Sequence, residues 1–77
     1  MKRLDLHGTP HIDARADTIR FVEANWNNTE DSELEIITGH SHKMKEIVGG
    51  VLDEYELDWK VGDNLGMNMG FIRVQLP

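Results

Sequence analysis

The chain has no cysteine, no apolar run long enough to cross a bilayer, and only 8 basic residues against 14 acidic ones among its 77. Without thiols there is neither a disulfide framework nor a thiolate metal site, a composition compatible with a reducing cytosol. A membrane-spanning helix needs about 20 consecutive apolar residues, and the opening Met1-Lys2-Arg3-Leu4-Asp5 turns acidic before a signal-peptide core can form. A soluble, cytoplasmic protein with no membrane partner is the expectation. The net charge of −6 argues against a broad nucleic-acid surface, because such surfaces neutralise phosphates with many Lys and Arg. Acids concentrate between Asp13 and Glu35 and between Asp53 and Asp63, while Lys2, Arg3, Lys43, Lys45 and Arg73 lie elsewhere. Any anion site is local.

A chain of this length makes one small domain, residues 1–77, with a modest core. Residues Leu4-Asp5-Leu6-His7-Gly8 read as a short strand stopped by glycine. Side chains alternate in a pleated strand, so Asp5 and His7 share one face while Leu4 and Leu6 point to the core. Thr9 is suited to cap a following helix, with Pro10 at its first position. Ile12, Ala16, Ile19, Val22 and Trp26 then recur at helical spacing as an apolar stripe. Asn27 to Asp31 breaks that pattern as a polar loop.

Leu34 to Ile37 is the next strand, ending at Thr38-Gly39, and Ser41 is a good N-cap for a second helix. In that helix Met44, Ile47, Val48, Val51, Leu52 and Tyr55 keep the spacing of one buried face almost without error. Gly49-Gly50 falls on the opposite face and weakens the helix by about 1 kcal/mol per glycine relative to alanine. Leu57 to Val61 and Phe71 to Leu76 read as strands around a turn-rich loop from Gly62 to Gly70. The fold class is thus α/β in the two-layer α+β sense. Its order is β-α-β-α-β-β, with a four-stranded mixed sheet and both helices on one face.

The Leu4-Asp5-Leu6-His7-Gly8 element, the Thr38-Gly39 turn before the second helix and the glycine-punctuated last strand together resemble the Smr (small MutS-related) domain over essentially the whole chain. The resemblance implies a fold like the carboxyl-terminal domain of bacterial translation initiation factor three, with strand order 1-2-4-3. It also implies binding of RNA or DNA and, in several members, endonucleolytic cleavage. The family's second motif is usually Gly-x-Gly, whereas this chain has Gly39-His40-Ser41.

The two motifs converge on physical grounds as well. Parallel first and second strands send the loops after His7 and Gly39 out at the same end of the sheet. There the free N–H groups and dipole of the second helix favour an anion. The candidate phosphate-binding residues are Gly8, His11, Thr38, Gly39, His40, Ser41, His42 and Lys43, with Arg73 adding a contact from the open sheet face. His7 is the candidate proton-transfer group and Asp5 its partner, either fixing the imidazole tautomer or, across the roughly 6–7 Å between alternate strand residues, acting through water or on the substrate.

Plainer roles compete at each position. Asp5 can cap loop amides and His7 can bond a backbone carbonyl; His40 and His42 can be solvated or capping; Ser41 can be a cap rather than a nucleophile. No cofactor is expected. Asp5, His7, His11, His40 and His42 offer ligands for a divalent ion, but without a short metal-binding signature. In the Gly62 to Gly70 loop the glycines either satisfy turn geometry, or Asn64, Asn68, Met67 and Met69 flank a bound strand. Phe71, Arg73 and Gln75 are expected on the uncovered face of the sheet. Three functions remain open from the sequence: a nuclease, a noncatalytic nucleic-acid-binding module, and a protein-interaction domain of undefined oligomeric state.

Overall fold

The computed structural model describes residues 2–27, 32–62 and 69–77. Its elements are β1 (Lys2–Asp5), α1 (His11–Ala24), β2 (Glu33–Ile37), α2 (His42–Glu54), β3 (Asp58–Val61) and β4 (Phe71–Gln75). They build one sheet in the order β1-β2-β4-β3. β1 runs parallel to β2, with Leu4 beside Ile36 and Asp5 beside Ile37, and β4 is antiparallel to both β2 and β3. This is the topology expected from the sequence. Among the described residues no helix is long and apolar enough to cross a membrane.

Alternation along the two central strands sets the layers. Leu34 and Ile36 of β2 and Ile72 and Val74 of β4 are fully buried on the helical side, where they meet Ala14 and Val22 of α1 and Met44, Val48 and Leu52 of α2. Leu6 and Leu76 continue this layer just beyond the ends of their strands. The opposite face carries a row of charges from Arg3 through Glu35 and Arg73 to Lys60, one on each strand. Arg3 lies 3.5 Å from Glu35, and Arg73 Nε lies 3.1 Å from Glu33 although too poorly angled to hydrogen-bond it. Charged side chains of both signs let this face stand in water without a cover, although Lys60 and Arg73 are like charges directly opposite each other.

Helix α1 differs from its expected register. Its buried positions are Ala14, Thr18 and Val22, spaced by four, whereas Ile12 is 89% exposed. Small Ala14 and polar Thr18 lie against the core because the Thr18 hydroxyl donates to the Ala14 carbonyl at 2.8 Å and so hides its own polarity. Trp26 lies past the end of the helix, its ring centroid 5.8 Å from that of Tyr55. Pro10, rather than Thr9, is the N-cap, and its ψ of 141° keeps it outside the helix.

Helix α2 follows its predicted stripe and begins at Ser41, whose hydroxyl accepts from the Met44 amide at 3.1 Å. Gly49 does not lie on a solvent face. It is buried under the Trp59 ring of β3, where an added Cβ would fall 2.7 Å from two ring carbons. The Trp59 indole N–H in turn donates to Asp53 at 2.8 Å. α2 ends in a paired turn in which the Leu57 amide donates to the Leu52 carbonyl and the Glu56 amide to the Asp53 carbonyl, both at 3.0 Å. Glu56 occupies the left-handed position of that turn, at φ 57°, where glycine is the usual residue.

The outer surface ties α1 to α2. Arg15 donates two hydrogen bonds of 2.7 Å to the Glu54 carboxylate, and the Tyr55 hydroxyl donates to Glu23 at 2.8 Å. The bidentate bond from Arg15 holds the Glu54 carboxyl below its ordinary pKa, and the bond to Glu23 raises that of the Tyr55 phenol.

Candidate nucleic-acid site

The carboxyl ends of β1 and β2 meet the amino ends of α1 and α2 at one edge of the molecule. The ladder between β1 and β2 extends one bond past Asp5, through the Leu6 amide to the Ile37 carbonyl at 2.8 Å. Then the chain turns. The Thr9 amide returns to the Leu6 carbonyl at 2.9 Å, and Gly8 sits at φ 86°, the third position of a turn that needs a left-handed residue there. His7 is therefore lifted out of the strand onto an exposed turn.

Asp5 contributes to that turn. Its Oδ1 accepts the backbone N–H of His7 at 2.9 Å, so its hydrogen bond goes to the amide and not to the imidazole. The plainer of its two roles is thus the one observed: the carboxylate holds the loop that carries His7. The expectation that Asp5 and His7 point the same way along a regular strand fails because β1 ends at Asp5.

The second loop lies directly against the first. Gly39 adopts φ 66°, and a Cβ built on it would approach His7 Cδ2 to 3.1 Å. A bulkier residue would strain the backbone and press on the ring. Gly39 thus lets the His7 imidazole rest on the turn leading into α2. A third strand end locks this arrangement, since the Thr38 and Gly39 amides both reach the Gly70 carbonyl at 2.9 Å.

At the head of α2 the Ser41 hydroxyl caps the Met44 amide and lies 3.5 Å from His11 Nε2. Helix geometry leaves the His42 and Lys43 amides without an intrahelical acceptor. His42 is paired with Glu46 at 3.3 Å, and Lys43 lies 4.0 Å from the same carboxylate. All 4 histidines of the chain stand at this one end. Among the described residues, however, no group of three or more His, Asp or Glu is placed to hold a metal ion.

The fold thus gathers Asp5, His7, Gly8, His11, Gly39, His40, Ser41, His42 and Lys43, as the sequence suggested. Two candidates fall outside. Thr38 is buried, with its hydroxyl donating to the Gly39 and Gly70 carbonyls at 3.0 and 3.3 Å, so it braces the turn rather than facing a ligand. Arg73 stands on the open face beside Glu33 and in register with Glu35, two residues up β4 from the loop end. A depression of about 270 Å³ also lies on that face, lined by Arg73 together with Glu33, Asp58, Lys60 and Gln75 and reaching toward the opposite end of the sheet. Its mixed charges do not make an anion site.

Gly70 was legible only as a loop glycine, because its contribution is a backbone carbonyl and leaves no side-chain signal. Of the flanking-loop candidates, Met69 is 43% exposed, while Asn64, Met67 and Asn68 lie outside the described residues. Comparison with protein-family models, with curated proteins and with solved structures found no match to this chain.

Proposed function

We propose that this chain is an Smr-like nucleic-acid-binding domain that cleaves phosphodiester bonds at the edge formed by the β1 and β2 loops. One observation carries the reading: the His7 ring rests on the Gly39 turn at the head of α2. An imidazole, able to give or take a proton, therefore adjoins amides suited to a phosphate. The phosphate is held by the amides of His42 and Lys43 with the Lys43 ammonium, and His40 and His11 border it.

On RNA the substrate's own 2′-hydroxyl attacks the phosphorus. The proton leaves the hydroxyl as the new P–O bond forms, and the P–O5′ bond breaks with a proton delivered to the leaving oxygen. A cyclic phosphate and a 5′-hydroxyl result. His7 serves one of these two proton transfers, a role worth about 10²–10⁴-fold in rate, while the amides and Lys43 stabilise the charge building on the phosphoryl oxygens. Asp5 acts as a positioning residue through the His7 amide.

A binding-only module is the second reading. It is favoured by Ser41, whose hydroxyl already fills the Met44 amide where the family pattern has glycine. Labelled single- and double-stranded RNA and DNA, incubated with the protein in manganese or in EDTA, separate the readings. Cleavage that His7→Ala abolishes while leaving the circular dichroism spectrum unchanged supports the nuclease. Salt-sensitive binding without cleavage selects the module, and neither result leaves a protein-interaction domain.

A further inference from the structure

The first turn of α1 carries an apolar side chain that the fold does not use. Ile12 is 89% exposed, at the second helical position after the Pro10 cap. It follows His11, whose ring reaches Ser41 at the head of α2. Across the site, Met69 is 43% exposed beside Gly70, whose carbonyl clasps the Gly39 turn. In sheet order the β1 and β4 loops lie on opposite sides of β2. Each apolar residue thus adjoins in sequence a residue that touches the loop leading into α2, Ile12 through His11 and Met69 through Gly70. Among the described residues the other exposed large hydrophobic, Trp26, packs on Tyr55 beyond the far end of α1.

We propose that Ile12, with Met69 as the second flank, packs on the face of an unpaired base, so that the site takes single-stranded rather than duplex nucleic acid. This rests on the phosphate-site reading above. In a duplex the base faces are stacked against each other and out of reach, whereas an unpaired strand offers them to a side chain beside the phosphate it binds. Charge points the same way. A duplex carries about one phosphate charge per 1.7 Å, and a chain of net charge −6 with Lys43 as the nearest cation cannot offset that density. Affinity must draw on non-ionic contacts, and Ile12 offers a nearly fully exposed aliphatic side chain beside this edge.

The test uses Ile12→Ala, a substitution at so exposed a position that the fold is untouched, which an unchanged melting temperature verifies. Fluorescence anisotropy gives Kd at fixed salt for a 2′-O-methyl strand, which lacks the attacking hydroxyl, for its duplex, and for an abasic strand of equal length. The native protein binds the base-bearing strand at least about 10-fold more tightly than the duplex. Ile12→Ala loses about 5- to 20-fold on that strand, the scale of one aliphatic contact, and less than about twofold on the abasic one. Equal losses on both strands, no loss on either, or a preference for duplex overturn the proposal and leave the phosphate site standing. Failure of the native protein to bind any strand overturns the phosphate-site reading itself.

Discussion

Gly49 and Gly50 are adjacent in sequence and opposite in consequence. Alanine is favoured over glycine inside a helix by about 1 kcal/mol, and at Gly50, where a Cβ meets nothing within 4 Å, the whole gain is realised. At Gly49 the same methyl falls 2.7 Å from Cη2 and Cζ2 of Trp59, more than half an ångström inside the ordinary carbon contact of about 3.5 Å. The ring cannot swing away freely, since its N–H is held by Asp53 at 2.8 Å and its backbone pairs with Val74. Overpacking of this kind costs about 1–3 kcal/mol, which cancels or exceeds the helical gain. Gly49→Ala is therefore about 1–3 kcal/mol less stable than Gly50→Ala. For a domain of this size each kcal/mol moves Tm by about 4–8 °C. Thermal and urea unfolding followed by circular dichroism measure the gap, and Trp59→Phe, which shrinks the ring, should restore Gly49→Ala. Equal stabilisation by the two alanines would refute the packing argument.

Three other outcomes follow from the same geometry. Glu56→Gly relieves the left-handed residue at the end of α2 and should raise stability by about 1 kcal/mol in urea unfolding. Glu54 has a folded pKa below its ordinary 4.5, so the Arg15 bond contributes in full above that value and is lost as pH falls through the lower folded one; Glu54→Gln should flatten the stability profile on the acid side of that ordinary value. Ser41→Gly should cost only a few tenths of a kcal/mol as a cap while freeing the Met44 amide, and so tighten phosphate binding in a competition titration with inorganic phosphate; weaker binding would place the anion elsewhere.

The strands and α2 were legible because their burial follows regular periods. Leu34 and Ile36, then Ile72 and Val74, alternate cleanly, and the α2 stripe runs from Met44 to Leu52. α1 departs from its expected register for a physical reason: its core contacts are made by Ala14 and a self-satisfied Thr18, while its most apolar early residue, Ile12, faces out. Hydrophobicity is a poor guide where close helix packing selects small side chains. Gly49 is the mirror case, a residue with no side-chain signal whose position is fixed by a tryptophan ten residues later. At the site, the sequence indicated which loops meet because parallel strands require it. It could not show that Asp5 binds an amide rather than a ring, or that Thr38 turns inward, since both depend on where β1 and β2 stop pairing.

The central claim is that a phosphodiester occupies the edge where His7 rests on the Gly39 turn. A ¹H–¹⁵N NMR titration of the whole chain with a short oligonucleotide tests it directly. The account predicts shifts concentrated between Asp5 and His11 and between Gly39 and Met44. Shifts centred instead on Lys60, Arg73 and Gln75 of the open sheet face would contradict it.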